Sequence, residues 1–120
     1  MPNVTSESLV RDNLLVSDDY ITESLIVASG AGALTRGTLL GVKTADGKAL
    51  KSLTGASDGT QTAYAILAED VDATSADKTA AVYLFGEFNS GALTLGTGWT
   101  LAAAKAALRP LGIYLKTILA

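Results

Sequence analysis

A chain of 120 residues with a net charge of −3 is long enough to form one domain with its own hydrophobic core. It contains neither cysteine nor histidine, which excludes disulfides, thiolate metal sites and histidine-based acid–base catalysis. The acidic balance argues against nucleic-acid binding, because that function needs a basic surface.

The N-terminal region carries most of the negative charge. Residues 1–29 hold five acids and one base, a net charge of −4. Within residues 1–19, apolar pairs occur at Leu9-Val10 and Leu14-Leu15. A polar segment with apolar anchors is typical of a chain that folds on a partner. We therefore predict a mobile N-terminal arm over residues 1–19 and a β-rich domain over residues 20–120. A frayed terminus without a function is the alternative.

Targeting and membrane-spanning segments are not predicted. The N-terminus has no basic stretch followed by an apolar core, which a secretory signal peptide needs. No uninterrupted apolar run approaches the roughly 20 residues of a membrane span. We therefore expect a protein without a membrane partner.

Strands are predicted through the first half of the chain. Residues 20–27 combine β-branched and aromatic side chains and predict the first strand. Gly37 lies between two short apolar runs and indicates a bend or a bulge. The dipeptide Asp46-Gly47 favours a type I′ turn. We expect this turn to join strands within residues 39–44 and 48–53.

The clearest strand pattern lies between Ala63 and Asn89. Residues 63–69 and 80–88 are rich in Val, Ile, Leu, Tyr and Phe, which predicts an antiparallel pair of strands. Residues 70–78 between them hold turn formers and little to bury, so we expect a long surface loop there.

One helix is predicted, over residues 100–108. Thr100 is a good N-cap, and the alanines that follow it favour the helix. Pro110 should end the helix near residue 108, because the residue before a proline avoids the α region.

The last predicted element is a strand over residues 111–119. Its apolar residues alternate, so that Ile113, Leu115, Thr117 and Leu119 share one face. Several short strands, glycine-rich turns and one small helix predict an all-β domain.

Three segments match catalytic or metal-binding motifs without the residues that such sites need. Residues 55–59 match the G-x-S-x-G of serine hydrolases, whose serine needs a base that is normally histidine. Residues 75–78 match S-x-x-K but fall in a predicted turn rather than on a helix. Residues 70–74 begin like a calcium loop, yet Ser75 and Ala81 replace the required glycine and glutamate. We predict ordinary loops in all three places.

Two further features allow more than one interpretation. Glu69 and Glu87 are predicted to lie across the hairpin from each other, as a glycosidase pair would, although carboxylates on edge strands also discourage unwanted pairing. Trp99 follows a Gly/Thr loop, where a tryptophan more often fills the edge of a core than binds a ligand, and its size also suits a subunit interface. We predict no catalytic, metal or cofactor site, and therefore no enzyme.

A family resemblance rests on five segments taken in chain order. They are RDNLL at 11–15, RGTLLG at 36–41, AILAEDVDA at 65–73, AVYLFGEFN at 81–89 and LGIYL at 111–115. Each segment alone is weak, but together the five resemble the lambda-type head decoration proteins of tailed phages.

The resemblance implies a fold and a function for the whole chain. The fold would be a β-clip-like domain of bent antiparallel ribbons with one short helix. Homotrimers would bind the major capsid protein on the outer surface of the expanded capsid, at three-fold and quasi-three-fold positions, and stabilise the shell against the pressure of packaged DNA. The protein would be made in the bacterial host cytoplasm and reside in the virion, without binding nucleic acid itself.

The resemblance also implies where the binding residues lie. The arm would be loose in the free protein and ordered on the capsid. We predict that Leu9, Val10, Leu14 and Leu15 anchor it, while Arg11 and Asn13 make polar contacts. The candidate trimer-interface residues are Trp99 and Phe88.

Two other classes of function stay open at this point. One is another β-rich assembly subunit, such as a capsid fibre or a surface adhesion module. The other is a small-molecule-binding domain or an enzyme that uses carboxylates.

Overall fold

The computed structural model describes residues 14–16 and 19–116, which form eight strands and one α-helix. In chain order the elements are β1 (Ile21–Val27), β2 (Gly32–Leu34), β3 (Leu39–Val42), β4 (Ala49–Lys51), β5 (Ala65–Leu67), β6 (Val71–Ala73), β7 (Lys78–Asn89), α1 (Leu101–Leu108) and β8 (Ile113–Lys116). Short 3₁₀ turns occupy Ser90–Ala92 and Arg109–Leu111. The predicted all-β fold with one short helix is confirmed.

Five of the strands close into a ring in the order β1-β4-β3-β5-β7, and β7 returns to β1. Four of the five pairings are antiparallel, whereas β1 and β4 are parallel and meet only at Val27 and Ala49. Every strand of the ring contributes to one buried apolar cluster, which includes Leu40, Leu67 and Val82. Closing the sheet removes free edges from most of the ring.

A second buried cluster lies on the other side of the β5 and β7 wall. Within β5, Ile66 belongs to this second cluster while Ala65 and Leu67 belong to the first. Successive side chains of a strand point to opposite faces, so one strand serves both clusters. The second cluster is covered by α1 through Ala104 and Leu108.

The long strand β7 connects the two halves of the molecule. Its first part pairs with β1 and β5, and its last four residues pair in parallel with β8, from Gly86 opposite Ile113 to Asn89 opposite Lys116. The predicted pairing across residues 63–89 is confirmed, with Ile66 opposite Tyr83.

The segment predicted as a plain loop contains a strand. β6 pairs antiparallel with β2 in a separate two-stranded sheet, where Val71 lies opposite Leu34. Ala73 is fully buried against the first cluster. The prediction was wrong because the strand is only three residues long, and its pairing partner lies far away in the sequence.

The hairpin between β3 and β4 forms as predicted, but its turn is different. Val42 lies opposite Ala49, and the Lys43 N–H donates to the Lys48 carbonyl at 2.8 Å. Six residues, 43–48, lie between the two strands, and the hydrogen bond from Lys43 to Lys48 leaves a four-residue turn at 44–47. The predicted two-residue type I′ turn was therefore wrong. Gly47 still adopts a positive φ of 72°. Ala49 is fully buried, and its packing against the first cluster favours this register.

The helix begins and ends where the sequence indicates. The Thr100 side chain accepts a hydrogen bond from the Ala103 N–H at 3.2 Å, and α1 ends at Leu108 before a 3₁₀ turn that contains Pro110. Gly112 then turns the chain into β8 with a φ of 89°. A Cβ atom at this position would lie 2.7 Å from Cδ1 of Phe85, so both the conformation and the space favour glycine. In β8, Ile113 and Leu115 are buried on one face, as predicted. The strand begins at Ile113 rather than at Leu111, because Leu111 belongs to the 3₁₀ turn. Thr117 and Leu119 lie outside the described residues.

Candidate functional site

The predicted arm joins the domain through two buried leucines. Leu14 is 1% exposed and Leu15 is 8% exposed, and both pack into the second cluster. The Asn89 N–H donates to the Leu14 carbonyl at 2.7 Å, and the Val16 N–H donates to the Glu87 carbonyl at 2.9 Å. Residues 14–16 therefore lie beside the end of β7 like a short antiparallel strand.

This placement bears directly on the predicted capsid contacts. The sequence predicts Leu14 and Leu15 in an arm that ends at residue 19, but in this structure they complete the core of the domain itself. Their side chains have little surface left to offer to a partner. The other predicted contacts, Leu9, Val10, Arg11 and Asn13, lie outside the described residues.

Phe88, a predicted trimer-interface residue, is fully buried within one chain. Its ring lies 5.2 Å from the ring of Tyr83, and Tyr83 stacks edge-to-face on Tyr20 at 5.3 Å. Leu15 forms an antiparallel bridge with Phe88. In this structure Phe88 leaves no surface for a second subunit, because alternation along β7 turns it into the second cluster.

Arg36 supports this aromatic group from one side. Its guanidinium lies 5.5 Å from the centre of the Tyr83 ring and donates hydrogen bonds to the Tyr83 hydroxyl at 2.7 Å and to the Ala68 carbonyl at 2.8 Å. A cation stacked on a ring and paired with its hydroxyl fixes the ring's orientation. Arg36 thereby helps to position the surface on which residues 14–16 lie.

Trp99, the other predicted interface residue, is half-buried at the edge of the second cluster. Its indole N–H donates to the Ser52 hydroxyl at 3.0 Å, and that hydroxyl donates to the Thr60 carbonyl at 2.6 Å. Ser52 itself is fully buried. Trp99 therefore fills a core edge and ties the loop before α1 to the end of β4, and its partial exposure leaves an interface role as a prediction.

The carboxylates of Glu69, Glu87 and Asp72, which the sequence offers as candidate catalytic or metal-binding groups, each have a structural partner. Glu69 accepts from the Ala81 N–H at 2.7 Å, whereas Glu87 forms an ion pair with Lys116 at 2.9 Å. Asp72 accepts from the Thr74 hydroxyl and backbone N–H, and these bonds lower its pKa. Each carboxylate has a local partner, so the arrangement suits turns and sheet edges rather than a catalytic pair.

Within residues 14–16 and 19–116, no three side chains of His, Cys, Asp or Glu come together in a way that could hold a metal ion. In the same part of the chain, no helix has the length and hydropathy needed to cross a membrane.

A comparison with protein families identifies the family of this chain. The family model of bacteriophage lambda head decoration protein D matches residues 3–114. The chain belongs to this family. A comparison with curated proteins finds no match. Membership gives this head decoration protein a structural role in a phage capsid.

One feature of this head decoration protein was missed by sequence reasoning. Asp77, in the loop before β7, accepts from the Lys48 ammonium at 2.6 Å and from the Ser29 N–H at 2.8 Å. We call these three residues the Asp77 clasp. It joins the loop to the turn after β1 and to the start of β4, close to the single contact of β1 with β4.

The Asp77 clasp makes stability depend on pH. The hydrogen bond from Lys48, followed by that from the Ser29 N–H, holds the pKa of Asp77 below its ordinary value of 3.8. The hydrogen bond to Asp77 also raises the pKa of Lys48 above its ordinary value of 10.5. The Asp77 clasp therefore stabilises the fold fully between pH 3.8 and pH 10.5. Its contribution is lost as the pH falls through the lowered pKa of Asp77 or rises through the raised pKa of Lys48.

We expect the Asp77→Asn variant to have a lower thermal unfolding midpoint than the wild type at neutral pH. The difference should shrink as the pH falls through the lowered pKa of Asp77, below its ordinary value of 3.8, because Asp77 then loses its charge in the wild type as well. Thermal unfolding followed by circular dichroism at neutral and at acidic pH tests this. Lys48→Met should produce a loss similar to that of Asp77→Asn, and the double variant should lose less than the sum of the two. A difference that persists unchanged at acidic pH would contradict the role of the charge.

Proposed function

We propose that this protein forms trimers that bind the outer surface of the expanded phage capsid at its three-fold and quasi-three-fold positions. There it contacts the major capsid protein and stabilises the shell against the pressure of packaged DNA. The observation that carries this proposal is the family match over residues 3–114. A β-clip description of the domain, which the sequence resemblance implies, stays part of the same proposal.

The structure supports a shorter capsid-binding segment than the sequence suggested. Leu14 and Leu15 are buried in the domain, so the segment that contacts the capsid is proposed to be residues 1–13. Leu9 and Val10 are its apolar anchors, and Arg11 and Asn13 make its polar contacts. Such a segment can add a strand to the edge of a capsid sheet, because an exposed edge offers unpaired backbone groups.

Three copies of a weak contact are enough for stable binding. Ordering a segment of this length on the capsid has an entropic cost that limits the affinity of one arm. When three arms belong to one trimer, the second and third bind as intramolecular events at a high effective concentration. The trimer thereby converts three weak contacts into strong attachment.

The decisive experiment deletes residues 2–13 and keeps Leu14. We expect this variant to keep the wild-type unfolding midpoint, because the deletion spares the leucines that pack in the core. It should lose co-sedimentation with expanded capsids, since the proposed contacts are gone. If the deletion variant still bound expanded capsids as well as the wild type does, the proposal that residues 1–13 bind the capsid would be wrong.

A pair of point variants separates the anchors from the rest of the segment. Leu9→Ser/Val10→Ser in the full chain should weaken co-sedimentation without changing the unfolding midpoint. Leu53→Ser is the matched control, because Leu53 is an exposed leucine of the domain surface, 41% accessible. Equal effects of the two variants on capsid binding would argue against specific anchoring by Leu9 and Val10.

A further inference from the structure

The chain contains two Asp-Gly dipeptides, Asp46-Gly47 and Asp58-Gly59. Asp-Gly is especially prone to spontaneous isoaspartate formation, because a glycine has no side chain to hinder the attack of its amide nitrogen on the aspartate. The two dipeptides share this chemistry within one chain. A large difference between their reactivities in the folded protein must therefore come from the structure around them.

Isoaspartate formation is an isomerisation that needs only water. The glycine nitrogen attacks Cγ of the neutral aspartic acid, so that an N–C bond forms and a C–O bond breaks. The amide hydrogen and the carboxyl hydroxyl leave together as water. Water then adds to one of the two carbonyl carbons of the cyclic imide and breaks the bond of that carbon to nitrogen. Opening at the main-chain carbonyl leaves the chain running through Cβ and Cγ, which is isoaspartate, with no change in mass.

Asp46-Gly47 lies in the exposed turn between β3 and β4. A Cβ atom built on Gly47 would have no other atom within 4 Å, so the chain has room to rearrange there. The Gly47 N–H donates to the Lys43 carbonyl at 2.8 Å, and the Asp46 carboxylate accepts from the Lys48 N–H at 3.0 Å. These partners lie within the turn and at its two ends. An opening that breaks only such local contacts has a low free energy.

Asp58-Gly59 is packed against the chain that follows β3. A Cβ atom built on Gly59 would lie 2.7 Å from the Thr44 backbone nitrogen and 2.8 Å from the Val42 carbonyl oxygen. The Asp58 carbonyl accepts from the Thr44 N–H at 2.8 Å, and the Gly59 N–H donates to the Gln61 side chain at 2.8 Å. The main-chain carbonyl and the attacking nitrogen of this dipeptide are therefore both held in place.

The residue after this dipeptide ties it to the interior. Thr60 is 2% exposed, and its N–H donates to the Asp58 carboxylate at 3.0 Å. Its carbonyl accepts from the buried Ser52 hydroxyl at 2.6 Å, and that hydroxyl also accepts from the Trp99 indole. Rotating Asp58-Gly59 toward ring closure would disturb these buried hydrogen bonds. It therefore requires a larger opening of the fold than the turn at Asp46 does.

We propose that Asp46 is the site of spontaneous isoaspartate formation in the folded protein, whereas Asp58 is protected. The product inserts one extra carbon into the main chain and attaches the carboxylate directly to Cα. The Lys48 N–H thereby loses its acceptor. Because Lys48 also belongs to the Asp77 clasp, the displaced backbone weakens the clasp as well. Chemical ageing at this turn is thus coupled to the stability of the fold.

The test compares the two sites within one sample. Folded wild-type protein is incubated at neutral pH, then unfolded and digested with an endoprotease that cleaves before aspartate but not before isoaspartate. Missed cleavage before Asp46 or Asp58 measures the product at each site. We expect at least about tenfold more isoaspartate at Asp46 than at Asp58. In protein kept unfolded by guanidinium chloride, the two sites should react at similar rates, because the packing around Asp58 is gone.

Two variants separate the steps. Asp46→Glu keeps the charge, but its longer side chain closes an imide ring far more slowly, so no isoaspartate should form at this position. Wild-type protein that has been incubated should unfold at a lower temperature than fresh protein, whereas the midpoint of Asp46→Glu should not change with incubation. Ser52→Ala removes the anchor of Thr60 and should raise isoaspartate at Asp58 several-fold while leaving Asp46 unaffected. Circular dichroism confirms that both variants are folded.

The outcomes bear separately on the site and on its effect. Equal modification of Asp46 and Asp58 in the folded wild type, or more at Asp58, would overturn the assignment. So would an absence of isoaspartate at Asp46 under conditions in which the unfolded chain forms it. If Asp46 is modified but the incubated wild type keeps the unfolding midpoint of fresh protein, the site stands and its coupling to the Asp77 clasp is overturned.

Discussion

Replacing Leu14 with alanine is expected to lower the free energy of unfolding by about 2–5 kcal/mol. Leu14 is 1% exposed and packs in the cluster that contains Phe88 and Leu108. Truncation removes buried methyl groups and leaves a cavity that the surrounding strands fill only in part. Urea unfolding followed by circular dichroism measures the change.

Leu53→Ala is the control for this prediction. Leu53 is a leucine of the same size but 41% exposed, so its truncation should change the unfolding free energy by less than about 1 kcal/mol. If Leu14→Ala instead left stability unchanged and abolished capsid binding, Leu14 would be a capsid anchor as the sequence first suggested. The two measurements together therefore decide where the arm begins.

Replacing Phe88 with alanine should be more destabilising, by about 3–5 kcal/mol. The side chain is fully buried, contacts the Tyr83 ring and lies beside the backbone bridge to Leu15. Its loss would remove support from both the second cluster and residues 14–16. Because the contacts lie within one chain, the loss should not depend on protein concentration.

The concentration dependence separates this prediction from an interface role. If Phe88 acted only between subunits, Phe88→Ala would leave the dilute protein as stable as the wild type and would weaken association instead. Tyr64→Ala serves as the control, because Tyr64 is an aromatic residue that is 37% exposed. Its truncation should change stability much less than that of Phe88 does.

Elements specified by neighbouring residues were predictable. The helix needed only an N-cap at Thr100, a run of alanines and Pro110, and all three act within a few residues of chain. The pairing of β5 with β7 followed from two apolar runs separated by a polar segment. The position of β3 opposite β4 followed from the Asp46-Gly47 signal, although the length of the turn did not. The turn length follows from the strand register, which burial of Ala49 in the packed sheet favours.

Elements specified by distant residues were not predictable in this way. β6 exists because β2, nearly 40 residues away, provides its hydrogen-bonding partner. The Asp77 clasp joins residues that are 29 and 48 positions apart. Glu69 and Glu87 do not face each other, because the register that places Leu67 opposite Val82 brings Glu69 close to Ala80, at the other end of β7 from Glu87.

Composition and local pattern are enough to predict the all-β class and the helix after Thr100, and five segments in chain order carry the family resemblance. The apolar residues that the chain itself encloses are known only once the strands are packed. The sequence predicts partners for Leu14, Leu15 and Phe88, yet all three pack within the domain. The physical reason is that hydrophobic burial has no direction. An apolar side chain gains as much from its own core as from a partner, so only the packed structure shows which of the two covers it.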